Sequence, residues 1–120
     1  PANPEALNTL FGLTDHVYFE EGPGGFSVAH LRSSQGECRV SVYGGHVLSY
    51  TPQDQTPVLW MSEQARYEPG KAIRGGIPII WPWFGPNKLD PGKPSHGFAR
   101  NHMHILEATE PDRLAHDIRP

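Results

Sequence analysis

Two cations stand three residues apart in Lys71-Ala72-Ile73-Arg74, immediately ahead of the pair Gly75-Gly76. An arginine grips an anion bidentately through its planar guanidinium, whereas a lysine ammonium acts as a point charge. The glycines allow close backbone approach, and the apolar run after them, Ile77 to Trp81, would fix the direction of the cations. A second group follows in Ser95-His96-Gly97-Phe98-Ala99-Arg100. His96 can titrate near neutrality or donate a hydrogen bond, and on a strand it would share a face with Arg100. Between the two groups, Trp83-Phe84-Gly85-Pro86 could line a sugar face, because apolar ring faces stack on aromatic planes. Spacing alone also fits plainer readings. These are a turn of solvated charges at 71–74, a structural His beside Gly97, and core packing for Trp60 and Trp81.

The elements that would hold these groups are read from periodicity. Asn3 can cap a helix that Pro4 opens and Glu5 to Leu10 propagate, with Leu7, Leu10 and Phe11 at helical spacing. The apolar period then changes to two. His16–Glu20, Phe26–Arg32 and Glu37–Tyr43 read as strands of a meander, separated by Gly22-Pro23-Gly24-Gly25 and Ser33-Ser34-Gln35-Gly36. His46–Tyr50 and Val58–Met61 continue the series, and Ser62 can cap one helical turn through Ala65. Ile77–Trp81 is apolar on both parities, as expected of a strand covered on both faces. Four prolines then make 82–95 a rigid loop of the kind that is usually functional or mobile. Met103–Ala108 reads as a last strand, and 109–120 as a flexible tail. The fold class expected is an all-β antiparallel sandwich with a short N-terminal helix.

The composition agrees. The chain has 13 Gly and 13 Pro among 120 residues, well above the roughly 12% of average usage, which excludes a helical bundle. Its 37% apolar and 10% aromatic residues suffice for one core. A net charge of −3 gives no global attraction for nucleic acid or an anionic membrane. No apolar run approaches the roughly 18 residues of a spanning helix. The lone Cys38 lies in an alternating stretch and reads as a buried thiol, so a reducing, cytoplasmic setting is expected.

Four stretches are more specific than their composition. They are Gly45 to Pro52, Pro57 to Ser62, Glu68 to Pro86 (with Ala-Ile-Arg-Gly-Gly-Ile-Pro-Ile-Ile-Trp-Pro-Trp-Phe-Gly-Pro from Ala72), and His96 to Asn101 (His-Gly-Phe-Ala-Arg-Asn). Together they resemble the glucose-6-phosphate 1-epimerase, or hexose-6-phosphate mutarotase, family of the galactose mutarotase-like superfamily, over roughly residues 26–108. The resemblance implies a β-supersandwich that interconverts the α and β anomers of a hexose 6-phosphate without metal or organic cofactor. It also implies that Arg74 and Arg100 clasp the phosphate, that His96 hydrogen-bonds the sugar in an auxiliary role, and that the Ser95 position lines the site. Lys71, Trp83 and Phe84 complete the expected substrate-binding set.

The family's principal acid, a His in a Leu-His-Thr-Tyr-Phe segment, and its later Glu base have no counterpart here. The single domain 1–120 is therefore expected to be the N-terminal part of such a fold, with the phosphate-binding half of the site. A non-catalytic sugar-phosphate-binding module or inactive relative is the alternative. A metal site at His96, His102 and His104, spaced His-x5-His-x-His, is the third reading and carries least weight. A sandwich with open sheet edges and uncovered apolar faces is expected to form a homo-oligomer.

Overall fold

In the computed structural model, which describes residues 3–118, one short helix precedes six strands. Helix α1, Pro4–Phe11, begins where expected: the Asn3 side chain accepts from the Ala6 amide at 2.8 Å, and Pro4 occupies the first turn. Four strands follow as an antiparallel meander in the order β1-β2-β3-β4. They are β1 Val17–Glu21, β2 Ser27–Ser33, β3 Gly36–Ser41 and β4 His46–Pro52. The β3–β4 register shifts at Arg39/Val40, a bulge that re-aims the residues after it.

Helix α1 docks on the outer edge of β1. The Asn8 side-chain amide donates to the carbonyl of Phe19 at 2.8 Å, and its oxygen accepts from the Phe19 amide at 2.7 Å. One asparagine thus stands in for a missing strand partner, which blunts an exposed sheet edge.

Alternation sends side chains to two cores. Val17, Phe19, Ala29 and Val40 join Leu7 of α1 on one face of the sheet, and Val28 and Leu48 join Tyr43 and Ile73 in a second cluster. Burying each large side chain contributes about 1.5–3 kcal/mol. The half-buried Cys38 packs against the first cluster, and burial raises its thiol pKa, as befits an inert thiol.

Through Asp117, the segment read as a tail is instead structured. Residues 105–110 and 113–117 form a hairpin, β5 Ile105–Glu110 and β6 Arg113–Asp117, whose Leu106 and Leu114 close over the first cluster. Short, charged and Pro-bounded, this stretch carried too few apolar residues to reveal its period. The Thr109 hydroxyl donates to the carbonyl of Phe11 at 2.6 Å, joining the hairpin to the end of α1. The sheet and the hairpin form the two layers of an antiparallel β architecture.

Two expected strands are not strands. Val58–Met61 and Ile77–Trp81 make isolated bridges only: Met61 with Gly75, Val47 with Ile77, and Trp81 in parallel with Gly97. Pro78 and Pro82 remove the amides that a continuous ladder needs. Nor are these residues covered on both faces, because Trp60 is 72% exposed and Ile77 and Trp81 are each 51% exposed. Core packing therefore does not describe Trp60 or Trp81. The Ser62–Ala65 stretch is a turn rather than a helix, with the Ser62 hydroxyl accepting from Gln64.

Candidate anion-binding cleft

The segment around Arg74 is held like a strand fragment between two others. Its carbonyl accepts from the Ser62 amide at 3.1 Å, and the Gly76 amide donates to Trp60 at 2.8 Å. Ile77 exchanges both backbone bonds with Val47 of β4, at 2.9 and 3.1 Å. Gly76 has to be glycine. Its φ is +64°, and a Cβ there would run into the carbonyl oxygen of Val47. Upstream, the buried Tyr43 hydroxyl donates to the carbonyl of Lys71 at 2.6 Å. Burial pushes the Tyr43 phenol up, so it stays protonated and able to donate.

Arg100 arrives from a different part of the chain. It sits in a single 3-10 turn, Ala99–Asn101, whose Phe98 and Ala99 amides both donate to the Trp81 carbonyl, at 3.0 and 3.2 Å. Its guanidinium Nη2 donates to the carbonyl of Ser95 at 3.0 Å, while its buried Nε has no hydrogen-bond partner. Lys71, Arg74 and Arg100 all line one open cleft of about 900 Å³. Sequence reasoning missed Trp60, Gln64 and Arg66, which also line the cleft, from the segment bonded alongside Arg74. Nothing in the spacing of Arg66 marks it, because it reaches the cleft through a turn whose path is set by tertiary bonds.

The electrostatics are one-sided. Four of the chain's 10 Lys and Arg residues line this cleft, and no Asp or Glu does. Among the described residues the ion pairs are His30–Glu20, Arg32–Glu37 and Arg113–Glu110, none of which uses a cleft cation. A chain of net charge −3 has thus gathered unneutralised positive charge in one concavity, where low-dielectric walls focus the field.

The remaining expected site residues lie beside the cleft rather than in its lining. His96, with φ +64°, accepts at Nδ1 from the Gly85 amide at 3.0 Å and donates its own amide to the Gly85 carbonyl at 2.8 Å. Its ring lies edge-to-face with Phe84, centroids 4.9 Å apart, and Phe84 is 79% exposed. The Trp83 indole donates to the carbonyl of Pro94 at 2.9 Å. Ser95 contributes its backbone carbonyl to Arg100. Together Trp83 and His96 lace the two ends of the 82–95 loop, and Trp81 and Trp83 both pack edge-on to Phe98.

Three histidines proposed as a metal set do not converge as ligands. His96 faces Gly85, His102 donates to Phe98 at 2.8 Å, and His104 donates from Nε2 to Ala99 at 2.9 Å. Among the described residues no group of three or more His, Cys, Asp or Glu could hold a metal. His104 instead pairs with His116 of β6, Nδ1 to Nδ1, at 2.9 Å. Because the Ala99 carbonyl can only accept, a neutral His104 has its proton on Nε2, and His116 supplies the proton between the rings. Burial and the facing His104 both hold His116 below the ordinary imidazole range.

A model of the aldose 1-epimerase family matches residues 27–117, three quarters of the chain and every cation of the cleft. The chain belongs to that family. This epimerase-family chain is 45% identical over 78 residues to a candidate glucose-6-phosphate 1-epimerase of Salmonella typhimurium, and 42% identical over 78 to one of Escherichia coli. Each match covers 65% of the chain and 26% of the relative. A plant relative of the same provisional name, from Cenchrus ciliaris, is 37% identical over 91 residues. The crystal structure of a candidate mutarotase, YeaD of S. typhimurium, superposes with a TM-score of 0.73 at 34% identity, over 86% of this chain and 36% of that one. The chain spans about a quarter of the length of the curated relatives it matches. The fold is that of the galactose mutarotase-like proteins, as the motifs implied.

Proposed function

We propose that this cleft binds the phosphate of a hexose 6-phosphate, and that the chain supplies the anion-clamping side of a mutarotase site. The observation that carries this reading is the convergence of Arg74, Arg100, Lys71 and Arg66 on a cleft lined by no carboxylate. Arg74 and Arg100 approach from elements more than twenty residues apart in sequence, so two planar forks can grip one phosphate from different directions. Trp60, which also lines the cleft, offers an indole to an apolar sugar face. The names of the relatives point to glucose 6-phosphate as the sugar.

In such a reaction a base takes the proton of the anomeric hydroxyl while an acid protonates the ring oxygen. The ring opens to the aldehyde, C1 rotates, and closure on the other face gives the other anomer. Each proton transfer is worth about 10²- to 10⁴-fold, and the phosphate clamp contributes orientation. Among the described residues the cleft lining contains no His, Asp or Glu. This favours the reading in which the 120 residues bind the sugar phosphate and do not themselves turn it over.

Two measurements test the proposal. Titration calorimetry is expected to show binding of glucose 6-phosphate and none of glucose at the same concentration; equal heats would overturn the clamp. Magnetisation-exchange NMR between the anomers of glucose 6-phosphate is expected to give the buffer rate with this chain. A faster rate would show that the proton-transfer groups are present after all.

A further inference from the structure

We propose that His46 is a positioning residue of the anion cleft, tying the turn that carries Arg74 at a fixed place relative to Arg100. The inference rests on reading the cleft as an anion site. His46 is the first residue of β4, 1% exposed, and none of its atoms lines the cleft. Its Nε2 donates to the carbonyl oxygen of Gly75 at 2.5 Å, one residue beyond Arg74. The same ring packs under Gly76, where an added Cβ would come within 3.0 Å of Nε2. Gly75 and Gly76 both form the cleft's floor. A carbonyl only accepts, so the proton of a neutral His46 is on Nε2, and Nδ1 is an acceptor.

That Nδ1 is buried and without a hydrogen-bond partner, like the Nε of Arg100. Burial first, and then the Arg100 charge, hold His46 below the ordinary imidazole range, against the opposing pull of the Gly75 carbonyl. Ser41 stands opposite it on β3, and the charge that reaches it is that of Arg100 from the 3-10 turn. The His104–His116 pair packs on neighbouring Gly45. No carboxylate is among the causes of its shift. His46 therefore touches the backbone behind one arginine and feels the charge of the other. An anion that neutralises Arg100 lifts part of the penalty on a protonated His46, so by linkage proton uptake accompanies anion binding.

The probe is inorganic sulfate, whose charge does not change between pH 5 and 8, with calorimetry as the readout. Glutamine places its amide nitrogen near the position of Nε2, and asparagine near that of Nδ1. At pH 8, H46Q is expected to keep sulfate affinity within about threefold of the parent chain, and H46N to lose about tenfold, the worth of one hydrogen bond. As pH falls from 8 to 5, the parent chain is expected to gain more sulfate affinity than H46Q. That difference is a readout that a purely structural histidine would not produce, and it stands even if H46N fails to fold. Equal affinities in the parent chain and H46N, equal losses in H46Q and H46N, or superimposable pH profiles of the parent chain and H46Q would each overturn the role of His46. Absence of sulfate binding by the parent chain would overturn the anion cleft itself, and the role of His46 with it.

Discussion

Arg74 and Arg100 are not interchangeable with lysine at the same charge. A guanidinium presents a rigid fork matched to a tetrahedral anion, and Arg100 already spends Nη2 on the Ser95 carbonyl, which fixes the plane of the rest. Removing either arginine is expected to weaken sugar-phosphate binding about 10- to 100-fold, the range for a lost charge-assisted hydrogen bond. Arg100→Lys should recover little of this, since an ammonium cannot hold Ser95 and an anion with the same geometry. Titration calorimetry of Arg74→Ala, Arg100→Ala and Arg100→Lys checks it, and an Arg100→Lys variant as tight as the parent chain would refute the fork. Lys71, Arg74 and Arg100 stood out in the sequence because their chemistry depends on residue type and on glycine spacing. His46 could not, because its place in a strand says nothing about which carbonyl its ring will meet. His96 was legible as a polar group at the loop, and only the fold shows that its Nδ1 accepts from the Gly85 amide.

At the scale of elements, the β5–β6 hairpin is bolted to the Arg100 turn through two histidines. His104, 4% exposed, joins Ala99 to His116, and Ala99 immediately precedes Arg100. A single proton fits between the two facing Nδ1 atoms, so double protonation sets two N–H groups against each other. The sign of the pH dependence follows. His116 has a folded-state pKa below the roughly 6.5 of an unfolded imidazole, so the unfolded chain binds more protons in that window. The pair's contribution to stability is thus present above about pH 6.5 and is lost as pH falls through that value toward the folded-state pKa. His46 is depressed in the same direction and adds to the loss. Denaturant unfolding from pH 8 to pH 5 is expected to show stability falling on the acid side. His116→Phe is expected to flatten that slope, and an unchanged slope in His116→Phe would remove the hairpin pair as its cause. The hairpin shows periodicity both working and failing. Met103–Ala108 reads as a strand and overlaps β5, whereas the five-residue β6 falls in the segment read as a tail, because only its Leu114 packs on the first cluster. Its partner in sequence, the β1–β4 meander, was legible because Val and Phe alternate there over several turns of pleat.

For the whole molecule, the apolar surface beyond β4 decides the behaviour in solution. Trp60, Ile77, Ile80, Trp81, Phe84 and Leu89 are all exposed, Leu89 at 98%. They lie on or beside the 57–98 segment that carries half of the cleft. The sequence read Ile77–Trp81 as covered on both faces, and an apolar run does report a segment that gains by burial. What it cannot report is whether the covering surface lies within the same 120 residues, and among the described residues it does not. Several large apolar side chains exposed along one segment ordinarily mark an interaction surface. The outer edge of β1 is occupied by Asn8 and α1, and that of β4 bonds to Ile77 at Val47 and to the Val58 amide at Tyr50, so the exposed side chains beyond β4, rather than a backbone edge, offer the surface for association. The chain is accordingly expected to self-associate through the Trp81–Leu89 side, with a size by light scattering that grows with concentration. Leu89→Ser, at an exposed position outside the cleft lining, should shift it toward the monomer while leaving sulfate binding intact. A chain that remains monomeric at millimolar concentration would show that these side chains are tolerated singly in water, as scattered surface hydrophobics often are.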